Sequence, residues 1–378
     1  MPELTVIVEQ CLAAVPGGTG RYAREITTAL AAAPRPGWTV RTVTAWHRDT
    51  TPAAIPGADG PHRLPAGARG LAELWRRGLP PLVRGAAVHA TTPLAPARRD
   101  ALIVTVHDAV PWTHPETLTP RGVSWHRAMI GRAAERAAAI VVPSTSVADD
   151  LAGVFPAAAG KLHVIGHGVT AMPAPPNAVE RRRRWGLPER YVLSIATLEP
   201  RKGLDVLVTA MAAAASGTAH LVVVGSPGWG GVDVAAVAAA AGLPADRLHL
   251  LGRLPDTDLA AALAGAAVLA APSRSEGFGL PVLEAMAAGV PVICSDAPAL
   301  VELAGGVGLI VPRNDPSALA TAIGAVYGDS AMAGELARRG LRRAQDFSWP
   351  SAAERLWELH AGAAPAISGF PAQSSVAG

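Results

Sequence analysis

Short, nearly unbroken apolar runs recur along the chain, separated by longer Ala-rich stretches of helical character. Leu4–Val8, Thr39–Ala45, Ala87–Ala90, Leu102–Val106, Ala139–Val142 and Leu162–Ile165 predict strands in the first half. Tyr191–Ile195, His220–Val224, Leu248–Leu250, Ala267–Ala270, Val290–Cys294 and Gly308–Val311 predict strands in the second. Helices are predicted over Gly20–Ala33, Ser124–Ala138, Leu204–Ala214, Val232–Ala241, Asp256–Ala264, Leu280–Ala288, Pro316–Tyr327 and Pro350–Ala361. Apolar strands interleaved with helices are the pattern of parallel sheets covered on both faces. The expected fold class is therefore α/β, with two doubly wound sheets.

The two sets are separated by Met172–Asn177, a proline-rich MPAPPN that extends neither sheet. Residues 1–172 form the expected N-terminal domain, 173–189 the linker and 190–346 the C-terminal domain. Residues 347–362 should form a last helix returning to the N-terminal domain, and 363–378 a disordered tail. A length of 378 residues suits two such domains. Ligands of doubly wound sheets bind beyond the carboxyl ends of the strands, so two facing sheets predict a cleft lined by those ends.

Composition narrows the class further. Half the residues are hydrophobic and 17% are charged, which excludes disorder as the main state. No apolar run is long enough to span a bilayer, and the first residues read as a strand rather than a signal peptide. Cys11 and Cys294 have neither disulfide nor metal spacing, as expected of a cytoplasmic enzyme. Residues 1–172 carry 17 Lys/Arg against 12 Asp/Glu, or +5, whereas 173–378 carry 16 against 18, or −2. A basic first half favours an anionic partner. Within it, Leu71, Leu74 and Trp75 share a helical face flanked by Arg69, Arg76 and Arg77, the layout of an interfacial helix. That layout predicts peripheral contact with the inner face of the plasma membrane. The same apolar face would also suit packing on the N-terminal sheet. The run Arg181–Arg184 reads as a solvated helix face in preference to a phosphate grip.

Four constellations carry candidate chemistry. Pro16-Gly17-Gly18-Thr19-Gly20-Arg21-Tyr22-Ala23 follows the first strand and opens a helix, so Gly18 lies where free amides can meet an anion. The stretch matches G-x-G-x-x-A, but the acid a dinucleotide site needs after the second strand is out of place. His107 and Asp108 end an apolar strand. His107 suits acid/base work or a sugar-hydroxyl contact, with Asp108 to orient it. Arg201 and Lys202, before Gly203, suit a diphosphate, the first bidentately and the second as a point charge. Pro272–Gly289 is the most specific string. Its glycine loop holds Glu276, and Glu284 lies just over a turn inside the next helix. Such carboxylates need hydrogen-bond donors, which sugar and ribose hydroxyls supply. Asp256-Thr257-Asp258 mimics a metal-binding D-x-D, yet its place before an apolar helix favours Asp256 as N-cap and Asp258 in the first turn.

The Glu276–Glu284 string resembles the E-x7-E motif of retaining, nucleotide-sugar-dependent glycosyltransferases of the GT-B fold, family 4. The glycine loop, His107-Asp108, Pro143-Ser144, Gly168-Val169, Arg201-Lys202-Gly203 and Gly225 fall in the family's order. His-Asp-Ala-Val-Pro at 107–111 and Gly-Ser-Pro-Gly-Trp-Gly at 225–230 are similar to a bacterial mannosyltransferase subgroup. The resemblance implies that Glu276 and the backbone of Gly277, Phe278, Gly279 and Leu280 hold the donor sugar. Glu284 would take the ribose hydroxyls, and Arg201 and Lys202 the diphosphate, with amides near Gly18. His107 would line the reaction centre, and Arg253 and Leu254 would meet the base. It implies a hexosyltransferase, first of all a GDP-mannose-dependent mannosyltransferase, acting on a glycan or lipid-linked acceptor. No metal, no cofactor and no nucleic-acid partner are expected. One departure is that the Arg many members carry five or six positions before the Lys is replaced by Thr197 and Ala196. The rival readings are a nucleotide- or glycan-binding protein without catalysis and, more remotely, a Rossmann-type oxidoreductase.

Overall fold

The computed structural model describes residues 1–97, 100–213, 218–228 and 230–363. The first half supplies seven strands: β1 (Glu3–Ile7), β2 (Thr39–Trp46), β3 (Asp59–Gly67), β4 (Ala87–Ala90), β5 (Leu102–Thr105), β6 (Ala139–Val142) and β7 (Leu162–Val164). They pair in parallel in the order β3-β2-β1-β4-β5-β6-β7. The second half supplies β8 (Tyr191–Ile195), β9 (Leu221–Val224), β10 (Leu248–Leu250), β11 (Ala266–Ala271), β12 (Val292–Ser295) and β13 (Leu309–Val311), also parallel, in the order β10-β9-β8-β11-β12-β13. Each order reverses beside its first strand, between β1 and β4 and between β8 and β11, and there the loops after neighbouring strands diverge to leave a crevice.

Helices cover both faces of each sheet, as continuous apolar strands require. On one face of the first sheet, Val88, Val104 and Ile140 pack with Leu71, Trp75, Met129 and Ile130. On the other, Leu4, Val6 and Ile103 pack with Tyr22, Ile26 and Leu30 of the helix Gly17–Ala32. Trp349, Leu356 and Trp357 of the last helix, Trp349–Ala363, join that second cluster, so the end of the chain closes over the first sheet. Residues 178–184, within the stretch expected to link the sheets, form a helix packed on Asp256–Gly265. There Arg181 pairs with Asp258 at 2.5 Å, and Arg182 donates to the Ala261 carbonyl. The expected tail, apart from Ala363, and Trp229 of the 225–230 string lie outside the described residues.

The interfacial-helix expectation is corrected. A helix forms over Ala68–Arg76, but Leu71 and Trp75 are fully buried against the first sheet, and the Trp75 indole donates to the Pro81 carbonyl at 2.8 Å. Arg76 and Arg77 both pair with Glu73. The apolar face is core because the sheet beneath offers a larger apolar surface than one helix can expose stably. Leu79 and Leu82, in the following loop, are the exposed apolar residues of this segment. Among the described residues, no helix is long and apolar enough to cross a membrane. Cys11 and Cys294 are buried thiols.

Candidate active site in the interdomain cleft

The helix Gly17–Ala32 starts directly behind the loop after β1. A helix's first amides have no acceptor within it, so those near Gly18 point at the opposite domain with the positive end of the helix dipole behind them. A Cβ at Gly18 would lie 3.5 Å from Leu280 of that domain, so the two surfaces already touch. One turn on, Arg21 crosses the cleft. Its Nη2 lies 2.9 Å from Asp256 Oδ1 and its Nε 3.2 Å from Glu284 Oε1.

His107 and Asp108 follow β5. His107 Nε2 lies 2.8 Å from the Thr91 carbonyl oxygen, which can only accept, so Nε2 carries the proton and Nδ1 is an acceptor. Burial pushes the imidazole below its ordinary pKa, against weaker opposing effects of Thr91 and Asp108, which keeps it neutral at physiological pH. Its ring meets the edge of Tyr22 at 4.8 Å. Asp108 does not orient it, contrary to the sequence expectation. Asp108 Oδ1 accepts from the Val110 amide, and Thr91 is the anchor.

On the other side, β8 leads into Glu199–Gly203 and β11 into the loop Pro272–Gly279. Gly203, at φ 64°, turns the chain into the helix Leu204–Ala212. Lys202 Nζ and Ser273 Oγ each donate to Glu276 Oε1 at 2.7 Å. Arg201 donates to Glu276 Oε2 at 3.3 Å, to the Ser275 carbonyl at 3.0 Å and to Glu199 at 2.7 Å. Burial raises the Glu276 pKa, but Lys202 and Arg201 outweigh it and hold the carboxyl at about 2. The loop abuts the first domain. A side chain at Gly277 would run into the His107 carbonyl oxygen, and the Ser144 hydroxyl donates to the Gly277 carbonyl at 2.8 Å. Phe278 is buried against the His167 ring, and Gly279 reaches φ 104° to start the helix Leu280–Ala287.

Glu284 lies on that helix and is almost fully buried. Burial, reinforced by Asp256 and Glu25 and opposed by Arg21, raises its pKa to about 7. His107, Gly18, Arg201, Lys202, Glu276 and Glu284 thus converge on one cleft, as the sequence reading expected. Leu254 is packed in the core with Leu259 and Phe278, and Arg253 lies on the surface. Asp256 does not cap its helix, since no side-chain cap bond forms. It pairs with Arg21, while Asp258 pairs with Arg181. Sequence reasoning gave no role to Arg21, Ser273, Glu199 or Thr91. The first three stand inside or beside the quoted motifs, which was the available signal.

Two sequence families match this chain. "Glycosyltransferase Family 4" matches residues 16–171, and "Glycosyl transferases group 1" matches residues 189–329. The chain belongs to the group 1, family 4 glycosyltransferases. The O-antigen chain mannosyltransferase B of Escherichia coli is 38% identical over 162 residues, 42% of this chain and 42% of that protein. The D-inositol 3-phosphate glycosyltransferase of Salinispora arenicola is 31% identical over 257 residues, 62% of this chain and 56% of that protein. The matches therefore span about half the length of these relatives. Anabaena HepE, solved in complex with UDP-glucose, superposes with a TM-score of 0.74 at 19% identity, covering 96% of this chain and 100% of that one. That likeness is one of fold, and the fold is GT-B: two Rossmann-like sheets facing a cleft.

Proposed function

We propose that this chain is a retaining glycosyltransferase that moves a hexose from a nucleotide-diphosphate sugar to a glycan or lipid-linked acceptor. Mannose from GDP-mannose is the donor chemistry to test first, supported by the resemblance of the 107–111 and 225–230 strings and by the name of the Escherichia coli relative. The observation that carries the reading is the Glu276–Lys202–Arg201 cluster touching the His107 loop across the cleft. Arg201 and Lys202 turn to the diphosphate and stabilise the charge that grows on it as the sugar C1–O bond breaks. Glu276, released from them, accepts from the sugar hydroxyls. His107, neutral with Nδ1 as acceptor, receives a further hydroxyl. The acceptor oxygen attacks C1 from the face the phosphate leaves, and its proton passes to the leaving phosphate oxygen.

No metal is needed in this scheme, because two cations face the diphosphate and Asp256 and Asp258 are held by arginines. A cytoplasmic enzyme in loose contact with an anionic bilayer remains part of the proposal, resting now on the +5 first half and on exposed Leu79 and Leu82. The test is a calorimetric screen of GDP, UDP and their sugars, followed by transfer assays on glycan and lipid acceptors. Nucleotide binding without transfer or donor hydrolysis would favour the non-catalytic binding protein.

A further inference from the structure

We infer that Arg21 is a positioning residue, a guanidinium lent by the N-terminal domain that contacts Glu284 of the C-terminal domain across the cleft and favours its charged form, so that the grip on ribose draws on both domains. The inference rests on the proposed donor site and names a residue outside it.

Glu284 is a nearly dry carboxylate, and among the described residues the cation paired with it is Arg21, from the other domain. The pair engages Oε1 through Arg21 Nε, while Nη2 of the same guanidinium is fixed on Asp256. Arg21 thus meets Glu284 at Oε1 alone, which leaves Oε2 for a hydroxyl donor. Every other charged group acting on Glu284 is negative: Glu25 on the helix Gly17–Ala32 and Asp256 on the helix Asp256–Gly265. Without Arg21, burial and two neighbouring carboxylates all favour the protonated acid. A protonated Glu284 has lost the charge that makes it a strong acceptor for a ribose hydroxyl. In this arrangement Arg21 is the group that opposes the effect of burial on Glu284.

The pH dependence of nucleoside-diphosphate affinity tests this, measured by calorimetry with GDP and UDP on the full chain. In the parent protein, affinity should rise with pH through the neutral range, where Glu284 ionises. Arg21→Ala should move that rise upward by about one pH unit and lower affinity at neutral pH about fivefold. Arg21→Lys should restore most of it. Glu284→Gln should flatten the profile and make Arg21→Ala nearly silent. An Arg21→Ala loss that is equal at every pH, or that persists in the Glu284→Gln background, overturns the inference, as does tighter binding in Arg21→Ala. If Arg21→Ala does not fold, Arg21→Gln carries the same expectations. A parent protein that binds neither GDP nor UDP removes the donor-site reading itself. Binding without the pH shift removes only the role of Arg21.

Discussion

Replacing Glu276 with Gln should separate nucleotide binding from sugar transfer. This one carboxylate pairs with both cations assigned to the diphosphate, Lys202 at 2.7 Å and Arg201 at 3.3 Å. A diphosphate must compete with it for them. At an effective dielectric near 20, unit charges about 4 Å apart interact by roughly 4 kcal/mol, an upper bound here. The Gln amide oxygen keeps part of the hydrogen bonding, so a net gain of about 1–2 kcal/mol, or roughly five- to thirtyfold, is expected for GDP and UDP, which carry no sugar. Transfer should nevertheless fall by about a hundredfold or more, because the sugar hydroxyls lose a charged acceptor in the transition state. Stability should fall too. Glu276 is held at about 2 against an ordinary 4.5, which corresponds to roughly 3 kcal/mol at neutral pH. Because the folded-state pKa is depressed, that stability is present above the ordinary value and disappears as pH falls toward about 2, so the variant should lose part of the parent's acid sensitivity. Calorimetry with GDP and UDP, thermal melts across pH and a transfer assay give the three readouts. Weaker nucleotide binding in parallel with lost transfer would refute the competition argument.

Arg201→Ala and Lys202→Ala should weaken nucleoside diphosphates far more than the nucleoside, and equal losses in calorimetry would make the pair structural. Gly277→Ala, whose methyl meets the His107 carbonyl oxygen, should hold the cleft apart and cost transfer about a hundredfold in a transfer assay. Trp75→Ala should destabilise the first domain by about 3–5 kcal/mol in denaturant titrations, since the indole is wholly buried. Much less than that would restore the case for a surface helix. Transfer should survive EDTA, and activity abolished by the chelator and restored by Mn²⁺ would return Asp256 and Asp258 to metal binding.

The sequence made the strands of both sheets legible wherever the chain is apolar on two faces, because burial on both sides leaves no polar alternation to misread. β3 was invisible for the opposite reason. Its residues, Asp59-Gly60-Pro61-His62-Arg63-Leu64-Pro65-Ala66-Gly67, are polar, with two prolines, and only an edge position tolerates them. The segment Arg69–Arg84 shows where periodicity stops: it told that Leu71 and Trp75 share a face, not which surface that face meets. The site behaved similarly. Spacing exposed Glu276 and Glu284, yet the partners that decide their ionisation are Lys202, Arg201 and Arg21, 74, 75 and 263 residues away in sequence. Only the sheet orders bring them together. Local motifs therefore named the acceptors in this cleft, while their charge state is a property of the tertiary fold.

The balance of charge in the cleft bears on the substrate class. Arg21, Arg201 and Lys202 face Glu199, Asp256, Glu276 and Glu284, and each cation is already held by a carboxylate. A simple phosphate could draw Lys202 and Arg201 away, but it would leave Glu276 a buried charge without a cation and with only the Ser273 hydroxyl as donor, which costs several kcal/mol. A neutral sugar could offer hydroxyls to Glu276, but those carboxylate lone pairs are occupied while Lys202, Ser273 and Arg201 stay in place. Either ligand alone satisfies one half of the network by orphaning the other. A molecule that joins an anionic diphosphate to hydroxyl-rich groups on both sides can exchange every pair at once: cations to phosphate, Glu276 to the sugar, Glu284 to the ribose. On this reasoning GDP-mannose, or another nucleotide sugar, should bind more tightly than the sum of its separated halves predicts. The coupling is measurable as the difference between the affinity of the intact donor and those of GDP with free mannose added together. Strict additivity would remove the exchange argument while leaving the fold and the family untouched.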